Sequence, residues 1–173
     1  SQHEPHLPIE ADMGQGYIDE NGNYTLQIKC QNLTETLGAT AGATGVPQEK
    51  LRIISNAPGG MFGYGITSPV PSLLVTAMQC LDMPCSLSLN YEEFNHTSGK
   101  RSATFSNGRI AVDENGKIIA ADYDVALDHG AYTGVAPMIF NNLASVAFHG
   151  YNVPNIRALV RGVVSNQSYN TAY

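Results

Sequence analysis

The chain has 173 residues, of which 43% are hydrophobic and 14% charged, and its formal charge is −6. That length holds one domain with a full core, or one domain and part of a second. The acidic balance excludes nucleic acid as a partner, since phosphate binding needs a surplus of Lys and Arg, and no stretch approaches the ~20 apolar residues of a membrane span. Seventeen Gly and nine Pro in so weakly charged a chain imply many turns and a surface partly covered by something else. The polar start, Ser1-Gln-His-Glu-Pro-His6, lacks the apolar run of a signal peptide. Cys30, Cys80 and Cys85 are an odd count at irregular spacing. They read as buried free thiols in a reducing compartment, and the expected location is cytoplasmic. Four Asn-x-Ser/Thr sequons, at Asn23, Asn32, Asn95 and Asn166, read as chance in that setting.

Gly16 to Glu20 and Tyr24 to Gln31 read as strands joined by an Asn21-Gly22 hairpin signal. Asn32 or Thr34 caps a helix through Ala41, ended by Gly42 and Gly45 with Pro47 beyond. Leu51 to Ser55 is a short apolar strand. Pro71-Ser72 opens a helix whose Leu73, Leu74, Ala77, Met78 and Leu81 form the buried face. Cys85 to Asn90 alternates as a half-exposed strand, and Tyr91-Glu-Glu-Phe94 reads as a solvated helical turn. Arg101 to Val112 and Lys117 to Leu127 form a hairpin around Asp113-Glu-Asn-Gly116, and Asn155 to Val164 is the last strand. These elements give an α+β fold with mixed or antiparallel sheets and helices packed on one side.

The most informative run is Pro58-Gly59-Gly60-Met61-Phe62-Gly63-Tyr64-Gly65, with four glycines in eight residues and two aromatics among them. Glycine admits positive φ and lets a ligand reach main-chain N–H groups, and successive N–H groups in a turn can form an anion-binding concavity. The run is not a dinucleotide fingerprint, because Gly63 and Gly65 are followed by Ser68 where a third glycine would stand. It is not a Walker loop either, since no Gly-Lys-Ser/Thr closes it. Spacing leaves two readings open: a loop that cradles an anionic or oxo group, or a strained surface turn.

The other candidates are weaker. Histidines at 3, 6, 96, 129 and 149 show no metal-ligand spacing, so no metal site is expected. Asp128-His129-Gly130 reads as a strand-ending turn, since neighbours in a strand face opposite ways. No nucleophile elbow occurs, and no cysteine is flanked by activating cations.

The glycine loop resembles the Gly-Gly-x-Phe-Gly loop of the molybdenum hydroxylases, the xanthine dehydrogenase and aldehyde oxidoreductase family. Further segments resemble that family in order: Gln2-x-x-x-His6-x-x-x-Glu10, Thr44-Gly-Val-Pro-Gln-Glu-Lys-Leu-Arg-Ile and Tyr151-Asn-Val-Pro-Asn-Ile-Arg157. Asn90-Tyr91, Thr97-Ser-Gly-Lys-Arg-Ser102 and Asp128-His129-Gly130-Ala-Tyr132 resemble its bacterial aldehyde oxidoreductase branch in particular. The resemblance covers essentially all 173 residues.

It implies that residues 1–173 are the N-terminal part of a molybdopterin-binding domain, cut from a larger subunit just after Asn170-Thr-Ala-Tyr173. It implies oxidative hydroxylation, with molybdopterin in a dinucleotide form and with iron–sulfur clusters and FAD on partner modules. Expected partners are the rest of the large subunit, those redox modules and a small aldehyde or heterocycle. Gly60, Phe62 and Gly63 match the loop beside the metal, and Gln31 matches the glutamine that hydrogen-bonds an oxo group in the family's xanthine branch. No catalytic residue is expected here, because the family's general-base glutamate lies downstream, and the isolated chain is expected to be inactive. Gly65 departs from the family's lysine, and Ile66 stands where the xanthine branch has a purine-binding glutamate. Ile66 at the substrate pocket favours an aldehyde or other weakly polar substrate, or a different heterocycle. The rival readings are a purine or other N-heterocycle hydroxylase and a non-catalytic paralogue acting as a binding or assembly module.

Overall fold

The computed structural model describes residues 4–66 and 68–171. Gln2 and Tyr173, at the ends of the first and last motifs, lie outside the described residues. The chain divides into two compact units, one built on residues 5–99 and the other on residues 100–171 with Glu4.

The first unit is a four-stranded sheet with helices on one face. Its strands are β1 (Met13–Ile18), β2 (Tyr24–Ile28), β3 (Leu51–Ser55) and β4 (Cys85–Ser88), ordered β3-β2-β1-β4. β1 runs antiparallel to β2 and β4, while β2 and β3 are parallel. The parallel pair is joined by helix α1 (Leu33–Thr44), so this sheet holds a βαβ unit that strand patterns alone did not indicate. Asn32 is the N-cap of α1: its side chain accepts the Glu35 N–H at 3.2 Å. Gly42 lies inside the helix, contrary to expectation. The stop is Gly45, at φ 75°, whose N–H reaches the Ala41 carbonyl.

Helix α2 (Val70–Leu81) packs on the same face, and its buried stripe is Val70, Pro71, Leu74, Val75 and Met78. The expected face was rotated: Leu73 and Leu81 are exposed, because the buried rows run from Val70 through Leu74 to Met78, four residues apart. Leu26, Ile28, Cys30 and Leu51 complete this core. Helix and sheet approach closely because Gly14 and Gly16 of β1 face α2. A Cβ at Gly14 would meet Ile28 Cγ2 at 2.6 Å and Leu74 Cδ1 at 2.9 Å.

Helix α3 (Tyr91–Thr97) opens with a reciprocal capping box between Asn90 and Glu93. It is not a solvated turn. Phe94 is fully buried, meeting the Tyr64 ring edge-on with centroids 4.8 Å apart. The thiols also differ from expectation. Cys30 is buried beside the Thr36 hydroxyl, but Cys85 is half-buried and Cys80 exposed on the outer side of α2.

The second unit is a three-stranded sheet of β5 (Ala103–Val112), β6 (Ile118–Asp128) and β7 (Ile156–Val163), ordered β5-β6-β7. β5 and β6 are the expected hairpin, closed by Asp113 Oδ1 accepting from the N–H groups of Asn115 and Lys117. β6 and β7 are parallel, bridged by helix α4 (Ala136–Val146), which the sequence pattern did not reveal. Val125 and Leu127 of β6 are buried, whereas Asp122 and Asp124 on the opposite face pair with Arg109, Arg157 and Arg161. Those arginines are exposed, so the pairs add little stability. β6 ends at Asp128 and the chain turns at Gly130, φ 73°, as expected. Among the described residues no helix is long and apolar enough to cross a membrane.

Gly14→Ala is expected to destabilise the protein by about 1–3 kcal/mol, since Ile28 is stiff at its branched Cβ and cannot withdraw. Gly42→Ala, in helical backbone with open space around it, is expected to stabilise by about 0.4–1 kcal/mol. Urea unfolding of the two variants, read side by side, checks both signs.

Candidate functional site

The glycine loop leaves the end of β3. Because β2 and β3 are parallel neighbours, paired from Tyr24–Leu51 to Ile28–Ser55, Gln31 and the loop emerge at the same edge of the sheet. Two bonds keep that edge in register: Asn56 N–H to the Ile28 carbonyl at 3.1 Å, and Ser55 Oγ to the Cys30 carbonyl at 3.3 Å. Gln31 itself is exposed.

Within the loop, Met61 and Tyr64 point inward and are buried, while Phe62 is 55% exposed. Tyr64 N–H donates to the Met61 carbonyl at 3.2 Å and closes a turn with Phe62 and Gly63 at its centre. Both central residues have positive φ, 49° and 96°, the signature of a type I′ turn. Gly60 precedes them at φ 104°. Phe62 is a bulky residue held in left-handed backbone, which costs about 1–3 kcal/mol. The buried Met61, Tyr64 and Phe94 cluster on either side holds it there.

The loop's N–H groups divide into two sets. Gly59 donates to Glu10 Oε2 at 2.5 Å, Tyr64 to Met61, and Ile66 to the Gly63 carbonyl at 3.3 Å. The N–H groups of Gly60, Met61, Phe62, Gly63 and Gly65 donate to no acceptor among the described residues; of these five residues Phe62 is exposed, Gly60 half-buried and the other three buried. Ile66 ends the short 3₁₀ turn Tyr64–Ile66 and is half-buried. At Gly65 an added Cβ would run into the Met61 thioether, which accounts for glycine where the resembling family has lysine.

A buried polar cluster underlies this loop, and sequence reasoning did not anticipate it. Lys29 has a side chain only 2% exposed. Its ammonium donates to the Glu10 carbonyl at 2.5 Å, lies 3.9 Å from Glu10 Oε2 and sits 5.1 Å from the Tyr64 ring centre. Burial pulls the Lys29 ammonium below its ordinary value, against the pull of Asp12 and Glu10. Asp12 is buried and accepts from Ser68 Oγ at 2.5 Å, and the same hydroxyl accepts the Val70 N–H that begins α2. Burial raises the Asp12 carboxyl above 3.8, opposed by Ser68 and Lys29. Tyr64 Oη is buried without a hydrogen-bond partner among the described residues, and burial raises its phenol above the usual range. The one signal of this cluster in the sequence was a lysine in the register of Thr25 and Gln27 on a strand whose other face is Leu26, Ile28 and Cys30.

The open face of the sheet carries an amide row. Gln15 Nε2 donates to Gln27 Oε1 at 2.6 Å and Gln27 Nε2 to Asn56 Oδ1 at 3.0 Å. A cleft of about 340 Å³ over this row reaches Glu10 and Lys29, and one of about 380 Å³ lies toward Tyr17 and Ile54. Neither is lined by Phe62. Among the described residues no three His, Cys, Asp or Glu side chains gather as a metal cage.

The sequence model of the molybdopterin cofactor-binding domain family matches residues 1–173. The chain belongs to that family. It is 30% identical over 170 residues to the aldehyde oxidoreductase of Megalodesulfovibrio gigas, covering 98% of this chain and 19% of the relative. It is 27% identical over 168 residues to the large molybdopterin subunit of nicotinate dehydrogenase from Eubacterium barkeri, covering 97% of this chain and 40% of that subunit. The crystal structure of the aldehyde oxidoreductase from Desulfovibrio desulfuricans superposes with a TM-score of 0.90 at 34% identity, over 100% of this chain and 19% of that one. The chain therefore spans less than half the length of these relatives.

The loop carries donors of the kind an oxo-bearing group accepts from. Oxo-bearing groups take N–H donors that the fold has not already used, reached past residues without a Cβ. Gly60, half-buried, and Gly63, buried, are donors of that kind, and the exposed Phe62 adds an unused N–H beside its own side chain.

Between pH 3.8 and the raised value of Asp12, the native protein keeps a proton that the unfolded chain has lost, so Asp12 makes unfolding easier as pH rises through that window. Asp12→Asn lacks this term. Its stability relative to the parent is expected to increase with pH across the window, checked by urea midpoints at intervals between about pH 4 and 7.

Proposed function

We propose that this chain is the leading part of the molybdenum-cofactor domain in the large subunit of an aldehyde-hydroxylating oxidoreductase. The reaction turns an aldehyde and water into a carboxylic acid, two protons and two electrons, and the electrons leave through iron–sulfur clusters to FAD on partner modules. A molybdopterin group, in a dinucleotide form, supplies the oxygen-transfer and redox chemistry when bound.

The chain's own residues hold and shape. The N–H groups of Gly60, Phe62 and Gly63 would hold the group by donating to its oxygen atoms. Their worth lies in being fixed before any ligand arrives, so that no reorganisation is needed when negative charge develops. The Phe62 ring, turned outward by the strained turn, forms a wall that keeps water from the reacting carbon. Gln31, at the same sheet edge, offers a neutral amide N–H that stabilises an oxo group without protonating it. Ile66 presents an apolar side chain to the substrate and cannot hydrogen-bond a purine nitrogen. The family's general-base glutamate has no counterpart assigned among these 173 residues.

The observation that supports this reading best is the turn itself: unused N–H groups, those of Gly60, Phe62 and Gly63 among them, around an exposed aromatic in left-handed backbone. In the full-length enzyme, Phe62→Ala is expected to lower aldehyde turnover by about tenfold or more with an unchanged urea midpoint. Full turnover with a full molybdenum complement would refute the assignment. Aldehydes are expected to outrun purines as substrates of the intact complex; the reverse order would place the enzyme among the heterocycle hydroxylases. The isolated 173-residue chain holds only part of the cradle, and metal analysis is expected to find no stoichiometric molybdenum in it.

A further inference from the structure

The loop is held from behind by a feature separate from the glycines. Glu10 and Gly59 meet twice: Gly59 N–H donates to Glu10 Oε2 at 2.5 Å, and Glu10 N–H donates to the Gly59 carbonyl at 3.4 Å. The fit is close, for a Cβ on Gly59 would lie 2.8 Å from Glu10 Cβ and 2.9 Å from its Oε2. Glu10 is itself fixed from below. Lys29 Nζ donates to its carbonyl, and the Tyr91 hydroxyl, on α3, lies 2.5 Å from the carbonyl oxygens of both Pro8 and Ile9. One hydroxyl proton serves one of these acceptors at a time, and either choice pins the segment that leads into Glu10.

Lys29 also reaches the far end of the loop, because its ammonium lies against the Tyr64 ring. Gly59 and Tyr64 are thus anchored through the same buried lysine, one through Glu10 and the other through a cation–ring contact. The strained residues Gly60, Phe62 and Gly63 lie between these two anchors. A loop with four glycines has many accessible conformations. Two anchors around a short turn remove that freedom.

We propose that Glu10, seated on Lys29, is a positioning residue that holds the glycine loop in the conformation whose free N–H groups meet the cofactor. The inference rests on the function proposed above. Glu10 does not touch the reacting atoms; it acts through Gly59.

The test uses the full-length holoenzyme with Glu10→Ala and Glu10→Gln. In Glu10→Ala, hydrogen exchange over residues 59–65 is expected to rise about tenfold or more, the scale of a lost charge-assisted hydrogen bond. Exchange in β2 and α2 should stay unchanged. kcat should fall about tenfold or more with KM within about twofold, the pattern of lost transition-state interactions. The electron paramagnetic resonance signal of the partly reduced molybdenum centre should change shape. Glu10→Gln keeps a carbonyl acceptor for the Gly59 N–H and is expected to recover most of both effects, and it serves alone if the alanine variant does not fold. Unchanged loop exchange, or a rise spread equally over β2 and α2, overturns the inference. Faster loop exchange with an unchanged molybdenum signal in both Glu10→Ala and Phe62→Ala keeps Glu10 as the loop's tether but removes the loop from the metal, which refutes the positioning role and the proposed function together. An altered signal in Phe62→Ala with unchanged loop exchange in Glu10→Ala refutes the positioning role alone.

Discussion

The buried ammonium of Lys29 is the constraint on which the candidate site depends. An ammonium with a side chain 2% exposed must recover its lost hydration from fixed partners. It does so with the Glu10 carbonyl and carboxylate, the nearby Asp12 and the face of Tyr64. Each of these groups belongs to a segment that must then stay in place: the stretch leading into β1, the start of α2 through Ser68, and the glycine loop. Removing Lys29 would leave the buried Asp12 without its cation, which is why such clusters tie distant segments together even when their net stabilisation is small.

The loop illustrates how strain and hydrogen bonding divide the work. Its outer residues have their main-chain donors satisfied by Glu10, Met61 and Gly63, and its side chains Met61 and Tyr64 are sunk against Phe94. The central residues are left with positive φ and unused donors. Left-handed backbone at Phe62 persists only because its neighbours on both sides are over-determined. A site made of main-chain N–H groups has no side chain to announce it. Its chemistry comes from where the backbone is prevented from satisfying itself.

Much of the fold was legible from local chemistry. The Asn21-Gly22 and Asp113–Gly116 turns, the Asn32 cap and the alternation in β4 each express a preference of a few neighbouring residues, and the structure keeps them. What local pattern missed was long-range. Both parallel pairs, β2 with β3 and β6 with β7, join strands separated by a helix, and no short window contains that pairing. Helix α4 went unseen because its stripe of Ile139, Phe140, Leu143 and Val146 is broken by Asn141 and Asn142 and opened by Pro137. Phe94 looked solvated beside Glu92 and Glu93; only the arrival of Tyr64, thirty residues earlier in the chain, gives it a buried partner. Cys80 and Cys85 went the other way, since a thiol's burial depends on which side of α2 or β4 meets the core.

Sequence by itself determined the family, the turn residues and the glycine loop, because each is written in side chains that act alone or with near neighbours. Tertiary structure alone decided that Lys29 is buried, that Glu10 reaches Gly59 across 49 positions, and that Gly60, Phe62 and Gly63 keep free donors. Those outcomes depend on which groups compete for the same hydrogen bonds in space, and that competition is settled only when the segments have packed.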